Sequence, residues 1–279
     1  MSSVSPNPQN KAVLVTGAAK RLGREIALEF ARQGWDVAVH YGRSEAEALA
    51  TVEQIRSLGV AAHAFQADFA KEVDVDALFS AVIRVFPNLQ CLVNSASIFE
   101  YDRASAPTVL RAEMMHHHMQ VNVIAPMLLS QRMYGAQQHQ SQREGGRLHA
   151  DVVPAIIQVL DQKLINPNPD YLSYTLSKSA LLASVELLAM DFAPYLRVVG
   201  LAPGISLPSG NQSADDFHKA HQLTPLNKSS TPNDIAKAAV FLAGAGAITG
   251  TTLYVDGGQH LMSSERDVMF KTNSSSSNY

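Results

Sequence analysis

Seven short apolar runs punctuate this chain: Val13 to Thr16, Trp35 to His40, Ala61 to Ala67, Cys91 to Asn94, Ala155 to Leu160, Val198 to Leu201 and Thr252 to Val255. Their length and composition fit strands buried on both faces of a sheet. Between most of them the apolar residues recur with the period of a helix, as in Arg24 to Gln33, Ser44 to Leu58, Val73 to Phe86, Val109 to Gln137 and Tyr171 to Phe192. Strand and helix in alternation predict an α/β fold, a doubly wound seven-stranded parallel sheet flanked by helices. Gly135 to Asp151, rich in Gln, His, Arg and Gly, reads as an exposed connector returning the long helix to the sheet. Leu207 to Ser230 reads as a variable lid over a substrate. A single domain over residues 11–262 is expected, after a flexible N-terminus of residues 1–10. The tail from Ser263 to Tyr279 has a composition that does not demand order.

A chain of 279 residues with 46% hydrophobic content can form one large α/β core without splitting. No apolar run is long enough to span a bilayer. The first ten residues lack the basic start and apolar stretch of a secretion signal, so a cytoplasmic location is expected. A net charge of −3 with interspersed signs offers no footprint for nucleic acid. The single cysteine, Cys91, precludes an internal disulfide and sits in an apolar run, as a buried small hydrophobe would. His116, His117 and His118 do not share a helix face, so packing or surface roles are expected rather than metal ligation.

Two segments carry chemistry. Ala12-Val-Leu-Val-Thr-Gly-Ala-Ala-Lys-Arg-Leu-Gly23 runs from a strand through glycine-punctuated sequence into a helical pattern. Glycines at such a junction let the backbone approach a pyrophosphate, whose charge the helix N-terminus stabilises. Further along, Tyr174 and Lys178 are four residues apart and share a helix face. A lysine there favours the phenolate, drawing the tyrosine from its reference value of about 10 toward the working pH. Asp161 follows the apolar run Pro154 to Leu160, so its carboxyl emerges at the C-terminal end of a strand, where open α/β sheets bind ligands. Taken singly, such a pair also arises by chance and such an Asp starts turns. Their order and setting give them weight.

Together these segments resemble the short-chain dehydrogenase/reductase family, a Rossmann-type fold, from about Lys11 to Gly258. Within it the chain is most similar to the pteridine reductase branch, which includes dihydromonapterin and dihydrofolate reductases. Arg21 replaces the middle glycine of the family's Thr-Gly-x-x-x-Gly-x-Gly loop, Asp161 replaces the catalytic serine, and Asn94-Ser95-Ala96-Ser97 replaces the Asn-Asn-Ala-Gly turn, followed by Phe99. Arg21, Asp161, Ser97 and Phe99 resemble that branch; Ser95 departs from its usual second asparagine.

The resemblance implies catalytic roles for Asp161, Tyr174, Lys178 and Asn122, whose backbone would support a water near the lysine. It implies cofactor contacts from Gly17, Arg21, Leu22, Gly23, His40, Tyr41, Arg43, Ser44, Asp68, Asn94, Ser95, Ala96, Tyr174, Lys178 and the turn Pro203-Gly204-Ile205-Ser206. Substrate contacts would come from Arg21, Ser97, Phe99, Asp161 and Tyr174. No carboxylate precedes Glu45 after the second strand, where one would select NAD, so Arg43 and Ser44 point to NADPH; Ser44 also has the pattern of a helix cap. The implied reaction is hydride transfer to a dihydropterin or dihydrofolate C=N, with Asp161, Tyr174 and Lys178 delivering the proton. Reduction of a carbonyl such as a 3-oxoacyl thioester, or a catalytically silent NADPH-binding regulator, are the alternatives. Long helices in Val109 to Gln137 and Tyr171 to Phe192 imply a homotetramer, supported by the small and apolar stretch Ala180 to Ala189.

Overall fold

The computed structural model describes residues 6–7, 9–105, 110–143, 145, 152–208, 213–268 and 270. The predicted runs form β1 (Ala12–Val15), β2 (Asp36–Tyr41), β3 (Ala62–Gln66), β4 (Leu89–Asn94), β5 (Ala155–Val159), β6 (Arg197–Pro203) and β7 (Thr252–Val255). They make one seven-stranded sheet in the order β3-β2-β1-β4-β5-β6-β7. Every neighbouring pair is parallel. The helices are α1 (Arg21–Arg32), α2 (Glu45–Ser57), α3 (Glu72–Val85), α4 (Ala112–Met119), α5 (Ala125–Arg143), α6 (Leu172–Phe192), α7 (Ala214–Gln222) and α8 (Pro232–Gly244).

The central strands read as unbroken apolar runs because both sheet faces are covered. On one face Val13, Val15, Val37 and Val39 meet Ile26 and Phe30 of α1 and Ile235 and Leu242 of α8. On the other, Leu14, Leu92 and Ile156 meet Val75 and Phe79 of α3, Leu129 and Met133 of α5 and Phe192 of α6. Alternate residues of β1 thus serve opposite cores, as the two-residue period of a strand requires. The sheet grows one way from β1 to β3 and the other way from β4 to β7, which opens a crevice beyond the C-terminal ends of β1 and β4.

Three stretches differ from the sequence expectation. The long helix predicted from Val109, which lies outside the described residues, begins at Ala112 and is interrupted by a π-helical turn at Gln120–Ile124. It then continues to Arg143, through much of the predicted connector. The polar composition there misled because Gln137 is buried, its Nε2 donating to the Leu89 carbonyl at 2.7 Å, and so anchors the helix to β4. Helix α8 lacked an expectation although its start is well marked: Thr231 and Asp234 form a capping box, with Pro232 in the first turn. Finally, Arg266 and Asp267 of the supposedly undemanding tail bond to Asp170 on the body of the domain. No helix among the described residues is long and apolar enough to cross a membrane.

Candidate active site

Strand β5 delivers Asp161 to the crevice. Past the strand, the Leu160 N–H donates to the Leu201 carbonyl at 2.8 Å, and Asp161 then caps the short turn Gln162–Leu164, its Oδ1 accepting from the Lys163 N–H at 2.8 Å. Helix α6 delivers the other two groups. Its first turn is capped by a residue distant in sequence, buried Asp102, whose Oδ1 accepts from the Ser173 N–H at 2.9 Å and whose Oδ2 accepts from the Ser173 hydroxyl. That start aims Tyr174 at Asp161: the phenol donates to Oδ2 at 2.9 Å. One turn on, Lys178 Nζ donates to the Val159 carbonyl at 2.7 Å and lies 5.9 Å from the Tyr174 ring centre.

Burial governs the charge states of all three. It raises the Asp161 carboxyl above the usual carboxylate range, against the hydrogen bonds from Lys163 and Tyr174. It pushes Tyr174 well above 10, and the neighbouring Asp161 charge adds to the rise. It lowers Lys178 to about 8, against the attraction of Asp161. The sequence expectation that Lys178 would draw the phenol downward is therefore corrected: desolvation, then Asp161, dominate. Burial thus shifts both acids toward their protonated forms.

Asn122, expected among the catalytic residues, lies within the π-helical turn and is buried. Its Oδ1 accepts from the Ile98 N–H at 2.9 Å and the Ser97 hydroxyl at 3.1 Å, while Nδ2 donates to the Ile98 carbonyl at 3.1 Å and to Ser177 Oγ at 3.0 Å. Ser177 Oγ in turn donates to the Tyr174 carbonyl at 2.7 Å. The Asn122 side chain is thus a positioning group tying the exit of β4 to the catalytic helix. Ser97, expected to meet substrate, is exposed, and its hydroxyl donates to Asn122 Oδ1 in this network.

The glycine-punctuated loop forms a cradle for a nucleotide. Gly17 adopts φ +67°, and a Cβ there would stand 2.9 Å from Ala96 Cα; a Cβ on Gly23 would stand 2.4 Å from the Gly17 carbonyl oxygen. Both glycines are required by close backbone approach. Arg21 keeps the left-handed backbone of the glycine it replaces, φ 55°, at a cost of about 1–2 kcal/mol for a residue with a Cβ. Its guanidinium donates to the Pro208 carbonyl at 2.9 Å and lines the cavity beside Leu22. Thr16, which sequence reasoning passed over, accepts from the Ser95 and Ala96 N–H groups at 2.9 and 3.0 Å and holds their turn against the loop. Asn94 Nδ2 donates to Gln158, but its Oδ1 is buried without a hydrogen-bond partner. An orphaned acceptor beside a bare backbone cradle and a helix N-terminus fits a dinucleotide.

The remaining cofactor positions divide. His40 is corrected: it is buried, stacked on Phe69, and accepts the Gly17 N–H on Nδ1 at 3.1 Å while Nε2 meets the Ala67 carbonyl at 3.2 Å. It supports the loop from beneath. Arg43 is exposed beyond β2, next to half-buried Tyr41, and Ser44 makes no side-chain cap bond to α2, so its expected capping role is not filled. Asp68, two residues beyond β3, accepts from the Ala70 N–H at 3.1 Å. Pro203 ends β6, and Gly204, Ile205 and Ser206 line a cavity of about 380 Å³ together with Arg21, Leu22, Phe99 and Asp161. The expected lid contributes Ala220 of α7 and Leu223; residues 209–212 of it lie outside the described residues. Phe99 stacks on Tyr171 at 4.0 Å and meets Tyr174 edge-on at 4.7 Å.

Residues from Met262 to Val268 close one side of this cavity, which composition alone did not reveal. No group of acidic, His or Cys residues suited to a metal occurs among the described residues. His118 is buried, with Nδ1 2.9 Å from the Met114 carbonyl. Burial pushes the Cys91 thiol up to about 12, leaving it inert.

A backbone cradle opened by Gly17 and Gly23 and a neighbouring tyrosine–lysine pair stand at one edge of a single parallel sheet. A family model described as enoyl-(acyl carrier protein) reductase matches residues 17–260. The 3-oxoacyl-[acyl-carrier-protein] reductase FabG of Staphylococcus aureus is 30% identical over 256 residues, covering 90% of this chain and 98% of its own. The 3beta-hydroxysteroid dehydrogenase 1 of Eggerthella lenta is 33% identical, over 91% and 95% of the two chains. Among solved structures, FolM alternative dihydrofolate reductase 1 from Brucella canis, complexed with NADP, is 34% identical with a TM-score of 0.80, over 91% and 96%. The chain belongs to the short-chain dehydrogenase/reductase family.

The support beneath the loop has a pH signature. Burial lowers His40 from 6.5 to about 4, against its bond to the Ala67 carbonyl, so the folded protein holds it neutral. Its contribution to stability is whole above pH 6.5 and drains away as the pH falls toward 4, a loss of about 3 kcal/mol. His40→Asn retains an acceptor for Gly17 and removes the titrating ring. Urea unfolding as a function of pH is expected to show a flatter acid limb in this variant; identical limbs would refute the assignment.

Proposed function

We propose that this enzyme is an NADPH-dependent reductase of dihydropterin or dihydrofolate C=N bonds. The observation that carries the reading is the hydrogen bond from Tyr174 to Asp161, a carboxyl that lines the same cavity as Phe99. NADPH, when bound, supplies the hydride. Gly17, Gly23 and the N-terminus of α1 would hold its pyrophosphate, Asn94 and the Ser95–Ala96 turn its adenosine side, and Arg43 and Ser44 its additional phosphate. Asp68 would meet the adenine, and Lys178 the ribose.

Reduction of a ring C=N leaves negative charge on nitrogen, which must be met by a proton. Tyr174 can give that proton, and Asp161, whose carboxyl burial shifts toward the protonated form, can replace it. Phe99 offers an aromatic face to a planar ring. FolM relatives support the pterin reading; FabG and the hydroxysteroid dehydrogenase support the carbonyl alternative, to which the neutral serine of ordinary family members is better suited. Action in the cytoplasm is part of this proposal.

Oxidation of NADPH across dihydrobiopterin, dihydromonapterin, dihydrofolate and a panel of carbonyl compounds is expected to favour a pterin. Asp161→Asn, nearly isosteric but without an acidic proton, is expected to retain NADPH binding and lower pterin turnover by about a hundred- to ten-thousandfold. Tyr174→Phe should do similar damage, and the double variant less than the product of both, since the pair acts as a unit. Unaltered turnover and pH profile in Asp161→Asn would dismiss the relay.

NADPH is expected to be preferred over NADH, and Arg43→Ala to weaken that preference by roughly tenfold or more, the equivalent of one charge-assisted hydrogen bond. Steady-state efficiencies equal for both cofactors in the unaltered enzyme would contradict it. A homotetramer is the proposed assembly, because α6 leaves Leu176, Leu187 and Met190 exposed on its outer side, with Ile124 exposed just ahead of α5. Light scattering at micromolar concentration should give four times the 30.1 kDa chain mass, and a monomeric mass would exclude it.

A further inference from the structure

The wall from Met262 to Val268 is fastened by a group that the reaction does not use. Asp170, fully buried between the turn after Asp161 and the start of α6, accepts on Oδ2 from Arg266 Nε and from the Asp267 N–H, both at 2.8 Å. Its Oδ1 accepts from the Tyr101 hydroxyl at 3.4 Å and lies 3.8 Å from Arg103, while its carbonyl accepts from Lys163 Nζ at 2.6 Å. Burial opposes its ionisation, but Arg266, the Asp267 N–H and the Arg103 charge hold it below the usual carboxylate range. Arg266 also lies over Phe270 at 4.6 Å, and that ring packs 5.4 Å from Tyr101. One carboxylate therefore joins the loop after Phe99, the approach to the catalytic helix and the carboxyl-terminal segment into a fixed wall.

This wall brings a second carboxylate to the cavity. Asp267 lines it, 3.5 Å from Lys163 Nζ, and its charge adds to the rise of Asp161. The rest of the lining mixes apolar Leu22, Ile205, Leu207 and Leu223 with Phe99 and with the cations Arg21, Lys163 and Arg266. A carboxylate in the wall of a cavity that also offers an aromatic face can accept from a planar ring that presents adjacent N–H donors. Resting on the pterin reading above, we propose that Asp267 is a specificity-determining residue that accepts hydrogen bonds from the 2-amino, N3–H edge of a 2-amino-4-oxopteridine ring.

The test compares binding of oxidised pterin with that of lumazine, which carries oxygen in place of the 2-amino group, to enzyme saturated with NADP⁺, alongside dihydropterin reduction. The unaltered enzyme is expected to bind pterin about tenfold or more tightly than lumazine, the effect of one charge-assisted hydrogen bond. Asp267→Asn, and separately a chain ended at Met262, should bring the ratio below about threefold, with Asp267→Glu restoring part of it. A retained NADPH affinity identifies variants that are folded. If the unaltered enzyme reduces dihydropterin yet either shows no pterin preference or keeps it in Asp267→Asn, Asp267 is not the determinant and the pterin reading stands. If it neither reduces dihydropterin nor prefers pterin, both are overturned.

Discussion

The hydrogen bond between Tyr174 and Asp161 joins two groups that burial penalises, one at the end of β5 and one at the start of α6. Leaving either without its partner would cost about 1–3 kcal/mol, so the surrounding structure must fix both ends at once. The Lys163 N–H holds the carboxyl, and Lys178 reaches back to the last carbonyl of β5. Asp102 fixes where α6 begins and thereby which residue faces β5. Asn122 and Ser177 then tie the same turn of α6 to the exit of β4. The contacts of Asp102, Asn122 and Lys178 span elements distant in sequence, and with the local ones they leave the pair little freedom to separate.

That long-range character explains what the sequence could and could not disclose. The seven strands were legible because both faces of the sheet are covered, which turns each into an apolar run with ends correct to within two or three residues. Asp161, Tyr174 and Lys178 were legible because they sit at fixed offsets from the end of a strand and along one helix face. Asp102 and Asp170 were not: each acts from a loop whose composition is ordinary, and only folding reveals the partner. Likewise the segment after Met262 has few apolar residues, yet buried Asp170 binds its backbone and Arg266. Composition measures a segment's own capacity to bury surface and misses a carboxylate waiting elsewhere to receive it.

Two residues expected at the site have side chains engaged by the protein itself. His40 and Ser97 occupy positions close to the crevice, but proximity along the chain does not decide which way a side chain turns. His40 lies in β2 and turns into the core to hold Gly17, so its influence on a nucleotide passes through the loop backbone. Ser97 follows β4 and is drawn to Asn122, because the π-helical turn brings that amide beside Ser97 and Ile98. Arg21 makes the converse case. Its left-handed backbone carries strain that glycine would avoid, and the side chain bought by that strain lines the cavity.

Replacing the family's serine by Asp161 changes more than acidity, because a phenol has a single proton. While Asp161 is ionised, the Tyr174 hydroxyl donates to it and has nothing left to give a substrate. Once Asp161 is protonated, it can donate to the phenol oxygen, and Tyr174 is free to donate onward. The same hydrogen bond is thus an inhibitory contact in one protonation state and a relay in the other. Burial, which raises Asp161, shifts the balance toward the relay, and the charge of Asp267 pushes in the same direction. A serine would place no such condition on the tyrosine, since it remains neutral and can turn its own proton either way. Reduction of a C=N bond and of a C=O bond each consumes one hydride and one proton, so what Asp161 adds over a serine is a titratable gate on the single proton that Tyr174 would deliver.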